Sequence, residues 1–256
     1  MISSESKQYL AFDYRTIRLM IGLIAIFFPL VVGISASGIT DSISWAYYTD
    51  ARDFYVGFLF VIGAFLMSYK GHKRTLYKTD IGRFWNWMNV LWKGAISFRI
   101  YERKYEEDLV GWVGGIAAWI TAVFPIARSL GGDGFYDTIS YIHYIGVIIL
   151  FSTTVYFCLV AFSTQAKDKI KIEEKLFGKI KRGPRQLRLK LYSICGWGIV
   201  VVMAGLMVVS FSELHRIRNI TFWMETLALE LFGIAWLIAS QYIPVFTHKM
   251  ERRSNR

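Results

Sequence analysis

Asp53, His143 and Glu225 are ionisable residues that each sit near the head of a long apolar run. Each lies within one or two helical turns of that run's start, and Glu230 follows Glu225 about 7 Å deeper at 1.5 Å per residue. A charge in a lipid-embedded helix is costly, on the order of 2.5–3.5 kcal/mol near the bilayer centre, so a shared depth calls for mutual satisfaction. Arg52, Tyr47, Tyr48, Ser140 and Tyr141 would rim such a cluster. Three kinds of chemistry are open to it. Two carboxylates and an imidazole could ligate zinc and leave a position for water, as in a metal-assisted hydrolase of a lipid-like substrate. Against that reading, one histidine is a poor zinc set and no ligand spacing is visible. The same groups could relay protons or ions in a transporter or channel, although neither an inverted repeat nor a pair of broken helices accompanies them. They could also bind, either one another in a packing network or a small or lipidic ligand. In the ligand case Asp53 and Glu225 would be acceptors, His143 the switchable donor and Arg52 the counter-charge. An integral membrane protein with an outward-facing polar pocket is the reading adopted. The cofactor is unknown from the sequence, and nucleophile-elbow, haem-attachment and Walker motifs are absent.

The elements that would position these residues are membrane spans. The chain has 256 residues, 54% of them hydrophobic and 17% aromatic, with positive mean hydropathy. Six apolar runs of spanning length exceed what one soluble core hides. They predict an all-α transmembrane bundle with spans at about 17–37, 53–69, 110–127, 139–162, 191–211 and 222–243. Pro29 should kink the first of them. Of the 30 Lys and Arg residues, 26 fall in the N-terminal head, the second and fourth connections and the tail. The other three connections share Arg52, Arg128, Arg216 and Arg218. Positive charge stays on the cytoplasmic side, so both termini are expected there.

That asymmetry also gives the net charge of +11 a topological cause, and nucleic acid is not an expected partner. Apolar residues at Ile81, Phe84, Trp85, Met88, Leu91, Trp92, Ala95 and Phe98 predict an amphipathic interfacial helix over 81–100. Residues 164–190 form a basic cytoplasmic loop broken at Gly183-Pro184, and 251–256 a basic tail. Anionic lipid headgroups are the partners these stretches suit, at about 1 kcal/mol per basic residue near the surface. Gly111-Trp-Val-Gly-Gly115 contains a G-x-x-x-G that lets helices approach closely, within the chain or in a homo-oligomer. Cys158 and Cys195 fall inside spans and read as small packing residues.

A resemblance adds to this. The words YYT and RDFYVG, the helix ending in YKGH, Ala122-Val-Phe-Pro125, Leu191-Tyr-Ser-Ile-Cys195-Gly196 and Trp223-Met-Glu225 resemble an uncharacterised family of bacterial six-span membrane proteins. The resemblance covers most of 39–241 and implies a multi-pass protein of the bacterial inner membrane, with no activity attached. A more distant likeness is to the membrane hydrolases that include alkaline ceramidases, whose paired-histidine helix motif is missing here.

Overall fold

A computed structural model describes residues 14–69, 106–126, 134–168, 170, 183–211 and 219–242. They are 89% helical, with no strand among the described residues. The helices are α1 (Tyr14–Ser35), α2 (Arg52–Ser68), α3 (Glu106–Val123), α4 (Gly134–Tyr156), α5 (Gly183–Phe211) and α6 (Ile220–Ser240). A 3₁₀ turn, Ile43–Tyr48, stands between α1 and α2, and a π-helical segment, Phe157–Phe162, continues α4. Helices α1, α4, α5 and α6 are long and apolar enough to cross a membrane, as befits a membrane-embedded protein. Helix α2 has 17 residues and extends about 25 Å. Helix α3 opens on Glu106-Glu107-Asp108, so its first turn is acidic, which suits a helix N-terminus but interrupts its apolar length.

Each helix packs on its neighbours in the chain, and α6 closes back onto α1. The result is a ring of six in which consecutive helices run in opposite directions. Two close crossings hold it. A Cβ on Gly63 of α2 would lie 2.8 Å from the Gly115 carbonyl of α3, and one on Gly115 would lie 2.5 Å from the Gly63 carbonyl. A Cβ on Gly22 of α1 would similarly lie 2.9 Å from the Gly233 carbonyl of α6. The G-x-x-x-G of α3 therefore serves a contact inside the chain, with Gly111 facing the backbone of Leu66. Small residues let helix backbones meet where lipid provides no hydrophobic drive.

Trp236 is fully buried at the centre of an aromatic cluster with Tyr69, Phe157, Phe162 and Phe232. The π segment widens α4 locally, and Ser163 Oγ donates to the Cys158 carbonyl at 3.1 Å. Cys158 and Cys195 are both buried and unlinked, with Cys158 packed against Gly196 where α4 meets α5.

The helix bounds fall within a few residues of those expected, with three differences. Helix α3 starts earlier, on its acidic turn. The 164–190 loop is shorter than expected, because α4 continues to Asp168 and α5 begins at Gly183. Pro184 opens that helix where it was expected to break the chain, since a first-turn N–H has no intrahelical partner to lose. Helix α6 stops at Ser240 with Gln241 in the left-handed conformation (φ 59°). The expected interfacial helix 81–100, residues 169 and 171–182 of the basic loop, and the tail lie outside the described residues.

Candidate functional site

The 3₁₀ turn sits in one mouth of the ring, at the end away from Arg15 and Arg18, with Ile43, Ser44 and Ala46 buried. Its entry is set by local chemistry. Ser42 is the extended N-cap residue, and its hydroxyl accepts from the Ser44 N–H at 3.1 Å. Thr49 stops the turn, donating from its own N–H to the Ala46 carbonyl.

Two helices hold this segment through the residues expected to do chemistry. Glu225 of α6 accepts from the Ser42 hydroxyl, 2.9 Å from each carboxylate oxygen, and from the Ile43 N–H at 2.6 Å. His143 of α4 is 1% exposed. Its Nδ1 is 2.7 Å from the Phe124 carbonyl at the end of α3. A carbonyl only accepts, so Nδ1 carries the proton; Nε2 of the neutral ring then accepts from Ser44 Oγ at 3.1 Å. A directed chain follows, in which Ser44 O–H and His143 Nδ1–H donate toward α3 while Ser44 N–H and Ser42 O–H donate toward Glu225. Tyr55 of α2 lies beside it, donating to the Thr121 carbonyl at 3.2 Å. Together these bonds tie α4 and α6 to the inserted turn and join α3 to α4 and α2 beside it.

The other expected site residues stand elsewhere. Asp53 and Arg52 are exposed on the first turn of α2. Arg52 stacks over the Tyr47 ring at 4.6 Å and donates to its hydroxyl at 3.0 Å, so its partner is an aromatic and not a site carboxylate. Tyr48 donates to the Ile126 carbonyl at 2.7 Å, pinning the turn to the end of α3. Glu230 is partly exposed along α6, below Glu225 and apart from the hydrogen-bonded chain. The expected meeting of Asp53, His143 and Glu225 around one cavity is thus not formed: the chain's own serines stand between His143 and Glu225, and Asp53 faces outward. Among the described residues no three His, Cys, Asp or Glu side chains come together as a metal set. Ser42 and Ser44 carry one visible sequence signal, a cap-like Ser-x-Ser before a short aromatic run.

His143→Ala removes a donor to Phe124 and an acceptor for Ser44. The expected cost is about 2 kcal/mol, from two neutral hydrogen bonds at roughly 1 kcal/mol each. Thermal unfolding in one detergent measures it, and bound metal should be the same in both proteins. A metal content that falls with the substitution would instead make His143 a ligand.

A second polar cluster occupies the opposite end of the ring. Arg18 of α1 donates to the Ala239 carbonyl at 3.1 Å, to the Tyr69 hydroxyl at 2.9 Å and to Gln165 Oε1 at 3.0 Å. Gln165 in turn donates to the Tyr69 hydroxyl at 2.8 Å and to Glu107 of α3 at 3.0 Å. Arg15 reaches the Ser240 and Gln241 carbonyls at the end of α6 at 3.1 and 2.8 Å. Cations at a helix C-terminus meet its unpaired carbonyls and the negative end of its dipole. Counting charge along the sequence places Arg18 only in the basic N-terminal head and gives no signal of these bonds.

Comparison with protein-family models, with curated proteins and with solved structures finds no match to this chain.

Proposed function

We propose that this chain is a six-span inner-membrane protein with both termini in the cytoplasm, and that it acts as a non-enzymatic membrane scaffold or sensor body. Its outer polar residues clamp a plug and do not receive a ligand. One observation carries the reading: the hydroxyls of Ser42 and Ser44 occupy the space between Glu225 and His143, where a ligand would otherwise sit. Helices α2 and α3 count as spans here because each is flanked by ring neighbours, which shield backbone and acidic turn from lipid. The alternation of basic and basic-poor connections supports the orientation, and the resemblance to bacterial six-span proteins belongs to the same proposal.

Ala46, with no exposure, provides the test. Ala46→Cys should stay unlabelled by a membrane-impermeant maleimide added outside intact cells. Reporter fusions should be cytoplasmic at the C-terminus and external after Gly38 and after Asn219. Rapid labelling at position 46 would restore an open outer pocket, and a C-terminal reporter found outside would remove the six-span topology.

A further inference from the structure

Glu230 takes no part in the network around Ile43–Tyr48. It stands midway along the 21 residues of α6, about 15 Å from either end at 1.5 Å per residue. Helix α6 is long and apolar enough to cross a membrane, and a hydrocarbon core is about 30 Å thick, so this carboxyl lies near the bilayer centre. It makes no hydrogen bond or ion pair among the described residues. Its face of the helix points away from the ring. Trp223, Leu227 and Ile234 are 56%, 50% and 39% exposed, and Glu230 is partly exposed between them. The four recur at steps of four, three and four residues, which is one side of a helix. On one flank of this stripe Gly233 packs against Gly22 and Ile26 of α1, and on the other Leu231 packs over Gly198 of α5. The stripe therefore faces lipid, where an ionisable group at mid-depth is expensive and calls for a partner. None of the described Lys or Arg residues stands in the middle third of a membrane-crossing helix, so the described chain has no cation at that depth to supply one.

We propose that α6 is a dimer interface, in which this stripe packs on the same stripe of a second copy and the two Glu230 carboxyls hydrogen-bond across the two-fold axis. Two considerations select a second copy over a different protein. A carboxylic acid is self-complementary, because its O–H donates while its other oxygen accepts. Copies inserted in the same sense also carry the residue at one depth, so an axis along the membrane normal brings the two carboxyls together without further adjustment. Steps of four and three are the spacing by which two helices interlock side by side. Apolar side chains gain little by leaving lipid for each other, whereas a polar pair gives helices a specific reason to associate. Each copy thus completes the other's site.

The full chain, carrying one fluorophore and reconstituted in liposomes at a series of densities, yields the dimer dissociation constant from photobleaching steps. The wild type should pass from one step to two as density rises. Glu230→Leu, which leaves the stripe wholly apolar, should raise the dissociation constant about tenfold, the scale of an interhelical hydrogen-bonded pair. Its thermal midpoint should not fall, because the carboxyl bonds nothing within the described chain. Glu230→Gln, whose amide is again both donor and acceptor, should keep most of the dimer. In the same membranes Leu227→Cys should cross-link copy to copy on oxidation, and Val201→Cys, 68% exposed on α5, should not. A dimer of unchanged strength in Glu230→Leu, a Glu230→Gln protein as monomeric as Glu230→Leu, or cross-linking at 201 equal to that at 227 overturns the interface. So does a wild type that stays monomeric at every density, which would leave the stripe to a helix of another protein with a cation at its middle.

Discussion

Glu225→Ala lowers the unfolding free energy by about 3 kcal/mol and releases the inserted turn Ile43–Tyr48. The carboxylate accepts from the Ser42 hydroxyl and the Ile43 N–H, and hydrogen bonds to charged acceptors contribute about 1.5–3 kcal/mol each. Alanine leaves the Ile43 N–H buried without an acceptor, since Ile43 is 4% exposed. Glu225→Gln retains one acceptor oxygen and should lose about half as much. Two measurements check this: the thermal midpoint in a fixed detergent, and maleimide labelling of Ala46→Cys, which becomes reactive once Glu225 is gone. A Glu225→Ala protein that unfolds like the wild type and stays unlabelled would mean that the turn is held by its apolar residues alone.

At the α2–α3 crossing the expected loss is as large and its cause is steric. Gly115→Leu must push a side chain into the Gly63 carbonyl, 2.5 Å from where its Cβ would sit. Overpacking a core typically costs 1–3 kcal/mol when side chains can yield. Here the obstacle is backbone, so the helices must separate, and a loss of about 3 kcal/mol or a failure to fold is expected. Gly115→Ala, adding the Cβ alone, should cost roughly 2 kcal/mol. Gly57 on the same α2 is the control, because a Cβ there meets nothing within 4 Å. Gly57→Ala should be neutral or stabilising by up to about 1 kcal/mol, the helix-propensity difference. Equal effects at 57 and 115 in unfolding measurements would show that propensity, not the crossing, governs these positions.

The contrast between Asp53 and Tyr55 shows how far the candidate site was legible. Depth in the bilayer follows from counting residues, so Asp53, His143 and Glu225 could be placed at one level. Rotation about the helix axis does not follow from counting. Successive residues turn by about 100°, so Asp53 faces outward while Tyr55, two positions on, is 2 % exposed and bonded to Thr121. The aromatic run Trp45–Tyr48 lies partly at the rim, with Tyr48 exposed. The same run carries Ser44 and Ala46 into the ring, because Glu225 and His143 supply the acceptors that its turn of backbone and hydroxyls requires.

That the chain is helical and membrane-embedded, and roughly where its helices begin and end, is legible in the order of residues alone. Lipid leaves backbone groups no partner outside the helix, so an apolar run of that length has one conformation open to it. Which polar residues meet depends on how the helices turn and pack against one another. Helix rotation and neighbour choice are set by glycine contacts such as Gly63–Gly115 and Gly22–Gly233 between distant parts of the chain. Those contacts turned Glu225 and His143 onto the inserted serines, left Asp53 outside, and gathered Arg18, Gln165 and Glu107 into a cluster at the other end.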